Sequence, residues 1–179
     1  MKESTYLLNQ HFNKPLSLNE LRELTTIYHK SIDNVNLIIP ELNILNLMLW
    51  MKREKISFGP YQKLTFFEIS NRIYSDLVLL KAAQVLFEEH DIKSIQLKMS
   101  NHSGSDLTIV DKNDNKIDGE AFNTAPSFFQ IKMRKELKKF KDKSGVITFN
   151  SSALNDKNIF FLDRKKIEFP NILFIECNI

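Results

Sequence analysis

The chain has 179 residues, 42% of them hydrophobic and 26% charged, with a net charge of +3. That length suits one domain or a domain with a small appendage, and the composition excludes a disordered or fibrous chain. A single cysteine, Cys177, excludes an intrachain disulfide and a multi-cysteine zinc site.

The most apolar run, residues 42–51, is interrupted by Asn43 and Asn46 and falls well short of the ~20 residues a spanning helix needs. The first ten residues hold no apolar signal core. A cytoplasmic protein in a reducing compartment, with no membrane partner, is expected.

Residues 1–60 read as a helical N-terminal part, a possible dimerisation or DNA-contact element, and residues 61–179 as the core. Ser17 and Glu20 form a capping box, and Leu21, Leu24, Tyr28 and Ile32 follow at helical spacing. Pro40 suits the first turn of the next helix. That helix is apolar nearly all round, so it is expected in the core or at a subunit interface. Phe58-Gly59-Pro60 is a break.

A long helix is expected over 64–89, with Ile69, Ile73, Asp76, Leu80, Ala83 and Phe87 in one stripe. Asp76 is a carboxylate inside an apolar stripe. It either caps a break at Ser75-Asp76 or reaches a polar site.

The period then changes from helical to two. Ile95, Leu97 and Met99 alternate with Gln96 and Lys98, which predicts a half-buried strand over 92–99. Asn101, His102, Ser103 and Gly104 form a turn, and a second strand runs over 106–110. Residues 112–115 are a hairpin turn, and a third strand covers 117–123. On that strand Glu120 shares a face with Asp118 and Phe122, while Gly119 and Ala121 point the other way.

Ser127 with Gln130 reads as a second capping box, opening a helix to about Asp142 with Phe129, Met133, Leu137 and Phe140 buried. Ser144-Gly145 ends it. Strands are expected at 146–149, 159–162 and 172–176, with a loop through Asn155, Asp156 and Asn158. Cys177 reads as a buried strand cysteine.

Charge is concentrated in one place. Lys132, Arg134, Lys135, Lys138, Lys139, Lys141 and Lys143 stand against Glu136 and Asp142. A basic patch on a near-neutral chain points to a polyanionic partner or to a solvated helix face. If Asp106 and Glu120 lie on neighbouring strands facing one side, they form a hard-oxygen site of the kind Mg²⁺ prefers. The histidines are scattered without metal spacing, and four glycines leave no phosphate-cradling loop.

The order helix, three strands, helix, strand, with Asp106 after Gly104-Ser105 and Glu120 within Gly119-Glu120-Ala121-Phe122, resembles the PD-(D/E)XK nuclease superfamily. The resemblance covers residues 64–150 and extends to the last strands. It implies an α+β, restriction-endonuclease-like core, in which helices flank a mixed central sheet. It also implies a Mg²⁺-dependent endonuclease (with Mn²⁺ as substitute) of restriction type that hydrolyses double-stranded DNA as a homodimer.

In that pattern Asp106, Glu120 and the Ala121 carbonyl hold the metal. The lysine that usually follows the second acid by two residues is replaced here by Phe122. Lys132, in the first turn of the following helix, is the first substitute in its place, ahead of Lys135, and Gln130 is a polar alternative. Asp76 or Glu68 supplies an acid from the first helix. Lys132, Arg134, Lys135, Lys138 and Lys139 contact DNA phosphates. The alternative is a nuclease fold without catalysis, serving as a nucleic-acid-binding or assembly module.

Overall fold

The run Gly145–Asn150 is buried at every position, and the fold is layered on either side of it. The computed structural model describes residues 5–12, 14–99, 104–141 and 143–179. In chain order these form α1 (Asn9–Phe12), α2 (Leu18–Asp33), α3 (Ile44–Arg53), β1 (Lys55–Phe58), β2 (Tyr61–Thr65), α4 (Phe66–Glu89), β3 (Ile92–Leu97), β4 (Leu107–Asp111), β5 (Lys116–Phe122), α5 (Phe129–Leu137), β6 (Gly145–Asn150), α6 (Asp156–Glu168) and β7 (Ile172–Cys177). The fold is α+β. Its five-stranded mixed sheet has the order β3-β4-β5-β6-β7, antiparallel from β3 to β5 and parallel from β5 to β7.

Side-chain alternation divides the core into two. Val146 of β6 packs with Leu107, Ile109, Ile175 and α4, while Ile147 and Phe149 pack with Phe122, Phe129, Met133 and Leu162 of the α5–α6 side. A strand covered on both faces needs a continuous apolar run, which Val146, Ile147 and Phe149 supply. Each such fully buried side chain contributes roughly 1.5–3 kcal/mol.

Helix α4 lies between the sheet and α2, so it buries residues around much of its circumference, from Ile69 and Ile73 to Val78, Leu79, Leu80 and Leu86. The N-terminal part joins the same core through Phe12, Leu16, Leu21 and Tyr28. Leu16 also exchanges backbone hydrogen bonds of 2.9 and 3.0 Å with Ile95 on the edge strand β3, which covers part of an open edge.

Capping sets where the helices begin. Both capping boxes, Ser17 with Glu20 and Thr65 with Glu68, are formed. Glu68 spends its carboxylate on the Thr65 N–H and hydroxyl, so it stays at the exposed start of α4. Helix α4 runs through Ser75-Asp76 without a break.

Several expectations are corrected. Residues 159–162 are not a strand. Asn155 caps a helix by accepting from the Asn158 N–H at 3.0 Å, and Asp156 and Lys165 sit at the ends where the helix dipole favours them. Ile159 and Phe160 are exposed while Leu162 is buried, a helical rather than alternating pattern.

Ser127 makes no cap for α5. Pro126 opens a short 3-10 turn instead, and α5 has no side-chain cap. Pro40 lies outside α3, whose N-cap is Asn43. Helix α3 buries no residue, and Ile44, Leu45, Met48 and Leu49 are exposed, so it is not a core helix within one copy of the chain. Phe58-Gly59-Pro60 is the turn of an unforeseen β1–β2 hairpin, with Gly59 at φ +55°.

Gly145 opens β6 rather than ending a helix, and the Phe140 ring occupies the space a Cβ would need there. The expected turn at Asn101, His102 and Ser103 and the helix end at Asp142 lie outside the described residues.

Replacing the α6 cap, Asn155→Ala, is expected to cost about 0.5–2 kcal/mol. Urea melts of the two proteins measure this; an unchanged midpoint would show that the cap does not hold α6.

Candidate active site

Pairing between β4 and β5 brings the two acids together. Leu107 pairs with Gly119 and Thr108 with Asp118, so Asp106, just before β4, and Glu120, just after Gly119, come to line one cleft. Gly119 permits the close packing beside Glu120, since a Cβ there would lie 3.1 Å from Leu107 Cδ1 and 3.3 Å from Val146 Cβ. Just before β4 begins, Asp106 Oδ2 accepts a hydrogen bond from the Ala121 N–H at 2.9 Å.

A cleft of about 250 Å³ opens at this point, near the carboxyl end of β5. Asp106, Glu120 and Ala121 line it with Asp76 and Arg72 of α4, Lys98, and Lys132 and Lys139 from the α5 side. Crevices at the carboxyl ends of strands are the usual binding places in open sheets with parallel strands.

Glu120 is only 5% exposed. Its Oε2 accepts from Lys139 Nζ at 2.6 Å. Lys139 also lies 2.5 Å from Glu136 Oε2, an ion pair without the angle of a good hydrogen bond, and Lys132 lies 2.7 Å from Glu136 Oε1. Lys132, Glu136 and Lys139 follow at spacings of four and three, which aligns them along one side of α5 and its 3-10 extension. The result is a chain of alternating charge from Lys132 through Glu136 and Lys139 to Glu120 and Asp106.

The titration of these groups follows from burial and neighbours. Burial, reinforced by the Asp106 charge and opposed by Lys139, pushes the Glu120 carboxyl up to about 7. Burial also raises Asp106, against the pull of the Ala121 N–H and Lys139. Burial would raise Glu136 too, but Lys132 and Lys139 outweigh it and hold the group below its usual range. Burial would lower Lys139, yet its bonds to Glu120 and Glu136 raise it on balance. Burial, more than the neighbouring charge, is therefore what makes both acids of the pair hold a proton more readily than an exposed carboxyl.

The other expected residues fall in different places. Asp76 lines the cleft, but it is 2% exposed and accepts hydrogen bonds from Tyr28 Oη at 2.8 Å and from Tyr61 Oη. Lys132 lines the cleft through its pair with Glu136, not through Glu120, and its ammonium stands 6.0 Å from the Phe122 ring centre. The lysine on Glu120 is Lys139.

Gln130 turns away from the acids to donate to Asn158 Oδ1 at 3.3 Å. Arg134 stacks 4.8 Å from the centre of Phe161 on α6. Lys135 and Lys138 are exposed. Phe122 is 2% exposed in an aromatic cluster with Phe129 and Phe149.

Sequence reasoning missed Glu136, the buried acid between the lysines. Its signal was the spacing Lys132, Glu136, Lys139. The cleft positions of Arg72 and Lys98 carried no such signal. Among the described residues no three acidic, histidine or cysteine side chains gather as a metal cage. No family model, curated protein or solved structure matches this chain.

A carboxyl raised to about 7 in the fold, from an ordinary 4.5, binds more protons folded than unfolded between those pH values. Its contribution to stability is therefore present below pH 4.5 and lost as pH rises to 7. Glu120→Gln should consequently raise Tm, relative to the metal-free parent, more at pH 8 than at pH 5. A difference that stays flat, or reverses sign, would show that Lys139 fully neutralises the carboxylate.

Proposed function

We propose that this protein is a metal-dependent endonuclease that hydrolyses phosphodiester bonds in double-stranded DNA. The observation that carries the reading is that Asp106 and Glu120, both desolvated and raised in pKa, line one cleft with Lys98, Lys132 and Lys139 on its walls. Perturbed carboxylates in a cleft are candidates for function because stability alone does not require them.

The donor set fits Mg²⁺, which is commonly held by one or two carboxylates with water and substrate phosphate completing the shell. Asp106 and Glu120 would bind it. In a strand the N–H and C=O of one residue point to the same neighbour, so the Ala121 carbonyl, like its N–H, faces the Asp106 side and is the third donor. When bound, the ion would supply Lewis acidity toward a phosphate oxygen and a nucleophilic water.

Lys139 takes the place that Phe122 leaves vacant. It sets a positive charge against Glu120, where it can orient a water and offset charge gathering on the phosphate. Glu136 holds Lys139 in that position from the opposite side. Lys132 is one step further from the acids. Asp76 keeps the α4 wall of the cleft in place through its two tyrosines. The order of the sheet and the helix α5 after β5 support a restriction-endonuclease-like arrangement.

Cutting both strands of a duplex needs two such sites, so the active species is a homodimer. The uncovered apolar face of α3 is the surface on which a second copy would dock.

A second reading follows from Phe122. Its side chain is packed away among Phe129 and Phe149, and a nuclease fold whose lysine position has become core can persist as a binding module without catalysis.

Supercoiled plasmid with Mg²⁺ or Mn²⁺ separates the two. Nicking by the parent, reduced at least 100-fold by Asp106→Ala, Glu120→Ala or Lys139→Ala and little by Gln130→Ala, is expected. Equal nicking by all would remove the assigned enzyme site, and salt-dependent DNA binding with no nicking would replace the enzyme with the binding module.

A further inference from the structure

The cleft at the acid pair does not stand alone. A second, larger cavity of about 780 Å³ adjoins it, and the two share Gly104, Glu120 and Lys139 in their walls. Lys116, Lys143, Asp118 and Ser105 line the outer cavity. Since Lys139 is committed to Glu120 and Glu136, the outer cavity is left with Lys116 and Lys143 against the single carboxylate of Asp118.

Both lysines are exposed, and neither forms a salt bridge with any described residue. The outer basic residues of α5 and the 3-10 turn after it are placed differently. Arg134 is stacked on Phe161, and Lys135 and Lys138 line neither cavity.

We infer that a phosphate backbone leaves the acid pair through this outer cavity, held by Lys116 and Lys143, and does not run along the outer face of α5. The inference rests on the nucleic-acid reading above and specifies the path. Lys116, Asp118 and Glu120 alternate onto one face of β5, so Lys116 stands four residues, or about 13 Å, from Glu120. At ~3.4 Å of duplex axis per step of one strand, that reach covers about four nucleotides from the bond at the acids. Lys143, just before β6, lies on the neighbouring wall of the same cavity.

The partner is recognised by its repeating phosphate charge. The contact is electrostatic and without base readout, because lysine ammonium groups approaching the backbone carry no sequence information.

Binding is measured apart from cleavage, with a fluorescein-labelled 20-base-pair duplex in EDTA over a salt series. Lys116→Ala with Lys143→Ala should weaken binding at least tenfold and flatten the slope of log affinity against log salt by about two units, since each lost phosphate contact removes ~0.9. Lys135→Ala with Lys138→Ala should change affinity less than twofold. Tm should be unchanged in both double variants, because all four side chains are exposed.

A parent-like affinity in Lys116→Ala/Lys143→Ala, a larger loss in the Lys135/Lys138 pair, or no salt-dependent binding by the parent would each overturn the path. Loss of binding as described, in a protein that does not nick plasmid, would leave the path standing and remove only the nuclease.

Discussion

Placing Glu120 almost out of water, in one cleft with Asp106, is the constraint on which the site depends. Burial, with each other's charge nearby, disfavours ionising both carboxyls, and the fold relieves this incompletely. Lys139 reaches Glu120 from the 3-10 turn after α5, and Glu136 in turn holds Lys139. Replacing buried ion pairs with apolar side chains is often neutral or stabilising. The buried ion-pair cluster of Lys132, Glu136, Lys139 and Glu120 is thus a poor device for stability. Under the proposed reading, a divalent cation held by Asp106 and Glu120 would relieve the repulsion that Lys139 leaves.

The remainder of the fold serves to hold that arrangement still. The register of β4 on β5 brings the two acids to one cleft, and a slip of one residue would turn the β4 side chains to the opposite face. Helix α4 forms the far wall and is pinned to α2 and β2 by the Tyr28 and Tyr61 hydroxyls on Asp76. Helices α5 and α6 are tied by the Gln130–Asn158 bond and by Arg134 on Phe161. Such ties fix the base from which Lys139 projects, and a site is only as exact as the elements that carry its side chains.

The residues revealed much of this in advance, for identifiable reasons. Alternation in Ile95, Leu97 and Met99 and in Asp118, Glu120 and Phe122 reported the sheet faces, and Ser17-Glu20 reported a helix start, because both signals are local. The last helix was misread because Ile159-Phe160-Phe161-Leu162 is a short apolar run, in which period cannot separate strand from helix. Asn155 and Asp156, read as a loop, were its start signal. Substitution of Lys139 for Lys132 at Glu120 was not legible, since it depends on where a helix turns into a 3-10 segment and on a buried Glu136 that competes for both lysines. The β1–β2 hairpin is short and held by tertiary pairing with Tyr6, a contact that no local pattern announces.

The most direct measurement is a crystal of the protein soaked in Mn²⁺ and examined at the manganese absorption edge. The account predicts an anomalous peak within ~2.3 Å of oxygens from both Asp106 and Glu120, lost in Glu120→Ala. Full occupancy of Mn²⁺ elsewhere, with no density between the acids, would contradict it.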